Sequence, residues 1–532
     1  MRLPVLLSIF LLALLAQPAT SPGPSTALEA RDGGQIADER FNAFLEKLKG
    51  DIKRVTLPNG LRLIMVRRTS TPTVACYIKF KAGSADETDA SSGIAHMLEH
   101  MLFKGTRRVG TRDYEKEKKY IAVINSMARK MDRWRLNLEL ARIAENAKAQ
   151  ARAAREIARL KKRMNIMRGL AAPFKIPDQD SYLYSLHGER GFNAYTTRDL
   201  TNYQVRLPSN RLEVWARIES DRIKNSVLRG FYTERNVVAE ERRMRTDNVA
   251  SRLLFERFIM KVYGEHPYAR PVIGPMRSIQ YLNYEQAYDF YKTYYAPNNT
   301  VIALVGNIEF AKTEALVRKY FGPLEPRRIR YRKPAAPVTP AEPVRVELRR
   351  PGSPLMLMSW FKPNFPDKRD LHLAILADIL SYGRDSRLYQ KMILKERIAT
   401  TVSVFTDYPG ERYKNLFTVY AIPAPGKTYE QLEQSVQEEL VRVRRDGVTA
   451  EELDRIKRKL RADFVYSLRS SATMADRLSF YEMVGGDYNS IFKYFAALRN
   501  VTGEDIRSAA REFLKPEGVM TARLLPPEKK SK

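Results

Sequence analysis

Three prolines within Lys333-Pro334-Ala335-Ala336-Pro337-Val338-Thr339-Pro340 interrupt a chain of 532 residues. Each removes a backbone donor and pushes its predecessor out of the helical region, so neither a helix nor a central strand runs through this stretch. It reads as an extended linker over 333–345. The order of elements after the linker roughly repeats the order before it. A strand candidate at Leu355–Phe361 leads to a helix over Leu371–Leu380, then to strand patterns at Thr401–Phe405 and Asn415–Ile422. Helices follow over Tyr429–Arg445, Ala450–Leu468 and Thr473–Val484. With 44% hydrophobic residues, a chain this long has material for more than one core. The predicted class is α+β: two related domains, 51–332 and 346–532, each a mixed, largely antiparallel sheet packed with helices.

The first domain opens with two alternating strands across Arg54–Val66, hinged on Asn59-Gly60. The next strand, Thr73–Phe80, contains Cys76. This is the only cysteine, which excludes an internal disulfide and reads as a buried structural thiol. Through Gly83-Ser84-Ala85-Asp86 the chain enters a helix that spells His96-Met97-Leu98-Glu99-His100, the H-x-x-E-H signature of zinc hydrolases. Residues four apart on a helix differ by about 40° around its axis, so both imidazoles reach one metal from one face. Glu99 is placed to take a proton from a metal-bound water rather than to ligate. Only five histidines occur in the chain, so composition alone seldom produces the pattern. Two histidines leave a catalytic zinc one protein ligand short of three. A helix over about Thr233–Met244 carries Glu234, Glu240 and Glu241, and spacing does not choose among them.

Between Arg112 and Arg168 there is no glycine or proline, and 17 Lys/Arg face 7 Asp/Glu. The segment, within an insertion over about 112–180, reads as a long helix or helical hairpin. Packing on a neighbour explains its apolar positions. A basic amphipathic segment also suits an anionic surface or an acidic partner. The net charge of +31 fits the same readings, and no recognised nucleic-acid module accompanies it, so nucleic acid is not the expected partner. At the N-terminus, Met1-Arg2, an apolar run over Leu3–Ala16 and small residues near Ala19 have the three regions of a secretory signal peptide over 1–20. A flexible segment over 21–50 follows. The mature protein is expected to be secreted or periplasmic.

These residues resemble the M16 metallopeptidases, which include pitrilysin, insulin-degrading enzyme and the mitochondrial processing peptidase. Gly93–Thr106 resembles the family's zinc helix, and Gly191-Phe192-Asn193-Ala194-Tyr195-Thr196 is similar to the segment that forms an edge strand for substrate. Glu234–Arg243 resembles its second metal helix, with two glutamates seven residues apart. The resemblance implies Glu241 as third zinc ligand, Glu234 as a residue orienting a ligand, and Asn193 and Ala194 as backbone partners of a peptide. His266-Pro267-Tyr268 and Ser386-Arg387-Leu388 match as structural marks. The second half has His372 but no H-x-x-E-H, so only the first is armed. One departure is the 141 residues between His100 and Glu241, nearly twice the family's usual separation, with the basic insertion accounting for the excess. For the family's substrate-assisting Arg and Tyr, Arg412 and Tyr420 are candidates, with a partner subunit as the other source.

Together these readings describe a secreted zinc-dependent endopeptidase acting on peptides or unfolded segments, with Zn²⁺ as cofactor. A homodimer, or a heterodimer with a metal-free M16 subunit, is expected. The rival readings are an inactive scaffold or partner subunit of the same fold, and a protein that binds the cell envelope or another anionic surface through its basic insertion.

Overall fold

The computed structural model describes residues 41–329, 331, 334, 342 and 344–528. The expected signal peptide, most of the N-terminal segment and most of the linker lie outside the described residues. Residues 41–50 form a helix, α1.

From residue 51 the chain begins with the hairpin that Asn59-Gly60 predicts. β1 (Ile52–Thr56) and β2 (Arg62–Arg67) pair antiparallel, Ile52 opposite Val66. Gly60 sits at φ +85°, where an added Cβ would lie 2.8 Å from Asn298 Cβ. Then come β3 (Thr73–Phe80), α2 (Ile94–Leu102), α3 (Tyr114–Ile143), α4 (Ala147–Ala171), α5 (Gln179–Leu186), β4 (Arg190–Thr196) and β5 (Thr201–Pro208). Helices α6 (Leu212–Asn225), α7 (Phe231–Arg242), α8 (Ala250–Tyr263), α9 (Met276–Ile279) and α10 (Tyr284–Tyr294) precede β6 (Thr300–Gly306) and α11 (Phe310–Phe321).

The second series runs β7 (Arg345–Arg349), β8 (Leu355–Lys362), α12 (Lys368–Ser381), β9 (Ala399–Tyr408) and β10 (Asn415–Pro423). It continues through α13 (Tyr429–Asp446), α14 (Ala450–Ser467), α15 (Ser471–Val484), α16 (Ser490–Asn500) and α17 (Gly503–Phe513) to β11 (Met520–Leu525).

The expected repeat appears in the strand order. One sheet is ordered β1-β2-β6-β3-β5-β4 and the other β7-β11-β8-β10-β9. Setting β1 aside, both place their strands in the order first, fifth, second, fourth, third. In each sheet the first and fifth strands pair in parallel and every other pair is antiparallel. Each series also lends a helix to the other: α15 packs on β3 and β6, and α8 on β7 and β11. Crossing over in this way covers part of each sheet with a helix from the other series. Leu98, Met101, Trp215 and Phe231 lie in the first core; Leu254, Phe258, Leu357 and Leu524 lie in the second. Cys76 is fully buried in β3, and burial raises its thiol well above the usual range, as expected of a structural residue.

The basic insertion folds as a helical hairpin rather than one long helix. Asp113 caps α3 by accepting from Lys116 N (3.1 Å), and Asn146 caps α4 by accepting from Ala149 N (3.0 Å). Glu145 makes the turn at φ +51°. Among the described residues no helix is long and apolar enough to cross a membrane.

Candidate metal centre

A buried carboxylate sets the start of α2. Gly93, at φ +97°, begins a helix with no side-chain cap at its own N-cap position. Instead Glu87 accepts from Gly93 N (2.8 Å) through Oε2 and from Ala95 N (2.9 Å) through Oε1. Burial pushes the Glu87 carboxyl up to about 8, against the pull of these two donors. Gly93 also admits a close approach: a Cβ there would lie 2.4 Å from Ile273 O. Replacing Glu87 with alanine would leave two buried helix-end donors without an acceptor, at a cost of about 1–3 kcal/mol. A drop of that size in unfolding free energy is expected by denaturant titration, and an unchanged midpoint would remove Glu87 from this role.

On α2, His96 and His100 are one turn apart, their ring centroids 4.8 Å from each other. Helix α7 packs against α2 and carries all three glutamates the sequence left open. Glu241 Oε2 lies 3.1 Å from His100 Nε2 and 3.8 Å from His96 Nε2. One ligand atom from each of His96, His100 and Glu241 falls within 4.8 Å of the others. No other His, Cys, Asp or Glu group among the described residues meets that spacing. Glu240, the alternative beside it, is exposed and pairs with Arg243 instead. Glu234 Oε1 is 3.0 Å from His100 Nδ1, and its Oε2 is 2.8 Å from Lys104 Nζ. Arg245 Nη1 holds Glu241 Oε1 at 2.9 Å.

This donor set fits zinc. Two imidazoles and a carboxylate are the ligand types of a catalytic site, and bonds of about 2.0–2.1 Å in a tetrahedron separate donor atoms by roughly 3.3 Å. Charge is arranged accordingly. Burial, and then His100, push His96 down to about 3, which keeps its lone pair available. Burial opposes protonation of His100, yet Glu234 and Glu241 raise it to about 9. Burial would raise Glu241, but His100 and His96 carry it down to about 2. Glu234 and Glu241 thus surround the His100 imidazole with negative charge. The two histidines are held differently: Glu234 holds His100, whereas His96 Nδ1 is buried without a hydrogen-bond partner among the described residues.

Glu99 stands on the same helix outside the trio. Its Oε2 accepts from Thr196 Oγ1 at 2.5 Å. Burial raises its carboxyl, with Thr196 and His100 opposing, so it is a stronger base than an exposed glutamate. Thr196 ends β4, which lies at the open edge of the first sheet with β5 as its one partner among the described strands. Asn193 pairs with Gln204 and Ala194 with Tyr203, and a bulge separates them from Arg190. The fold therefore brings His96, Glu99, His100, Glu234 and Glu241 together and places Asn193 and Ala194 on the neighbouring edge strand.

Arg412 and Tyr420 are committed elsewhere. Arg412 makes a bidentate pair with Asp86, and Tyr420 stacks near Phe255 at 6.3 Å. His372 is half-buried on α12, the counterpart of α2, and burial lowers it. Sequence reasoning gave no role to Thr196, Lys104, Arg245 or Glu87. For Lys104 and Arg245 a signal existed, since they stand four residues after His100 and Glu241.

Residues 62–132 match the family model described as Insulinase (Peptidase family M16), and residues 281–460 match that described as Peptidase M16 inactive domain. The H-x-x-E-H helix lies within the first match, and Glu234 and Glu241 lie between the two. The chain is 25% identical over 484 residues to a protein named Zinc protease PqqE from Helicobacter pylori, covering 89% of this chain and 92% of that one. It is 26% identical over 469 residues to an uncharacterized zinc protease of Mycobacterium leprae, covering 87% and 89%. Among solved structures, a protease from Helicobacter pylori shares the fold with a TM-score of 0.72 at 24% identity, covering 89% of this chain and 99% of that chain. A peptidase M16 inactive domain from Pseudomonas fluorescens gives 0.69 at 16%, covering 90% and 99%.

Proposed function

The chain belongs to the M16 peptidase family, and from that premise we propose that it is a zinc-dependent endopeptidase of peptides or unfolded segments. The observation that carries the reading is the convergence of His96, His100 and Glu241 beside an unligated, half-buried Glu99. His96, His100 and Glu241 would hold the metal. Zinc, when bound, acidifies a water and polarises the scissile carbonyl. Glu99 takes up the proton and returns it to the leaving amine. Because Thr196 donates to Oε2, Oε1 is the oxygen left to carry that proton. Glu234 keeps His100 turned so that Nε2 faces the site.

The substrate joins β4 as an added strand. An open edge beside the centre offers backbone donors and acceptors to any extended peptide, and a folded protein has no free strand to give it. The chain is proposed to be exported by its leader and to work as a dimer, with the substrate-assisting Arg and Tyr supplied by the second subunit, since Arg412 is bound to Asp86. An inactive scaffold is the weaker reading, because the residues needed for the chemistry are all present on α2 and α7.

The test is metal content together with cleavage of a mixed peptide library, before and after chelation. One zinc per chain is expected, with cleavage lost on chelation and restored by zinc. Cleavage indifferent to chelation, or purified protein that takes up no zinc, would overturn the proposal.

A further inference from the structure

We infer that the distal end of the α3–α4 hairpin docks on an anionic lipid bilayer. The hairpin is tied down at its base and middle. Buried Arg229 reaches Glu117 on α3 (Nε to Oε2 2.9 Å), and Arg235 on α7 grips Asp132 through two bonds of 3.0 and 3.1 Å. At the far end, every residue from Arg142 to Lys148 is exposed. Ile143 is 81% exposed, the most exposed large hydrophobic side chain among the described residues, and it ends a ridge with Leu136 and Leu140 at helical spacing.

Charge surrounds this ridge. Helix α4 carries eight Lys/Arg and a single acidic residue, Glu156. Lys148, Arg152, Arg155, Arg159 and Lys162 recur at steps of four and three, so they form one line about 21 Å long. All five are exposed, and among the described residues only Arg159 has a carboxylate partner, Glu156. A row of exposed cations, in which Arg159 pairs with Glu156 and Arg152 lies over the Trp134 ring, calls for a polyanion. A partner that offered phosphates alone would leave the exposed leucine and isoleucine at the same end without an apolar contact. The surface of an anionic bilayer meets both needs: headgroup phosphates for the cations, and the acyl boundary for Leu140 and Ile143.

Flotation of the full-length mature protein with vesicles tests this independently of peptidase activity. Vesicles of phosphatidylcholine with phosphatidylglycerol are compared with phosphatidylcholine alone, at low and high salt. Binding to the anionic vesicles only, weakening with salt, is expected. The triple variant K148E/R152E/R155E is expected to bind about a hundredfold more weakly. L140S/I143S is expected to lose about tenfold while keeping the salt dependence. Both sets lie on exposed positions, and an unchanged circular dichroism spectrum checks their folding. Equal binding to neutral vesicles, equal binding of the variants, or retention on heparin without flotation would overturn the inference. The last outcome would point to a soluble polyanion instead.

Discussion

Replacing Glu99 with glutamine is expected to lower peptide cleavage on the order of a thousandfold and leave zinc stoichiometry unchanged. The asymmetry follows from geometry. Glu99 contributes no atom to the trio of His96, His100 and Glu241, so a neutral amide there removes the proton acceptor and no metal donor. Glutamine can still accept from Thr196, so the helix need not shift. Glu241→Gln gives the opposite signature: metal is lost first and activity follows, because the neutral amide neither ligates well nor balances His100. Atomic absorption and cleavage kinetics measured on both variants separate the roles. An E99Q variant that turns over at the parent rate would place the base elsewhere.

How far such roles could be read in advance depended on how local their physics is. Helix α2 was legible because its two histidines are one turn apart, and helical periodicity alone puts them on one face. Glu241 was not legible from spacing, since it lies 141 positions after His100, and the sequence named it only through the family resemblance. Three carboxylates on one helix offered equal chemistry, and only the packing of α7 on α2 turns Glu241 inward and leaves Glu240 exposed with Arg243. The repeated strand order was visible as a rough repeat of elements, but the exchange of α8 and α15 between the sheets was not, because nothing in an amphipathic helix names the sheet that covers it. Glu87 escaped for a related reason. It caps α2 from six and eight residues away, outside the three-residue spacing by which capping boxes are recognised.

Arg412, one of two sources the sequence offered for a substrate-assisting arginine, gives the second large effect when substituted. As an arginine near a strand it suits a substrate contact; the fold gives it a different partner, 326 residues away. Arg412 Nη1 and Nη2 bond Asp86 Oδ1 (2.7 Å) and Oδ2 (3.1 Å), and Nη2 also donates to Asp199 O. The backbone of the same loop is held as well: Glu411 N donates to Asp199 Oδ2 at 2.6 Å, and Arg412 N donates to Tyr268 OH at 2.7 Å, whose hydroxyl donates to Asp199 Oδ1. This network ties the β9–β10 connection of the second sheet to the loops around the first. Burial raises Asp86, and Arg412 is what pulls it back toward the charged form. Both side chains of the pair are more than nine-tenths buried, so Arg412→Ala strands a carboxylate away from water. The expected cost is about 3–5 kcal/mol, seen as a lower denaturation midpoint and faster proteolysis. Arg412→Lys should recover only part of it, because a point charge cannot reproduce the two-bond grip. A substrate contact would behave the other way, raising KM for peptides while leaving the midpoint in place, and that result would return Arg412 to the catalytic machinery.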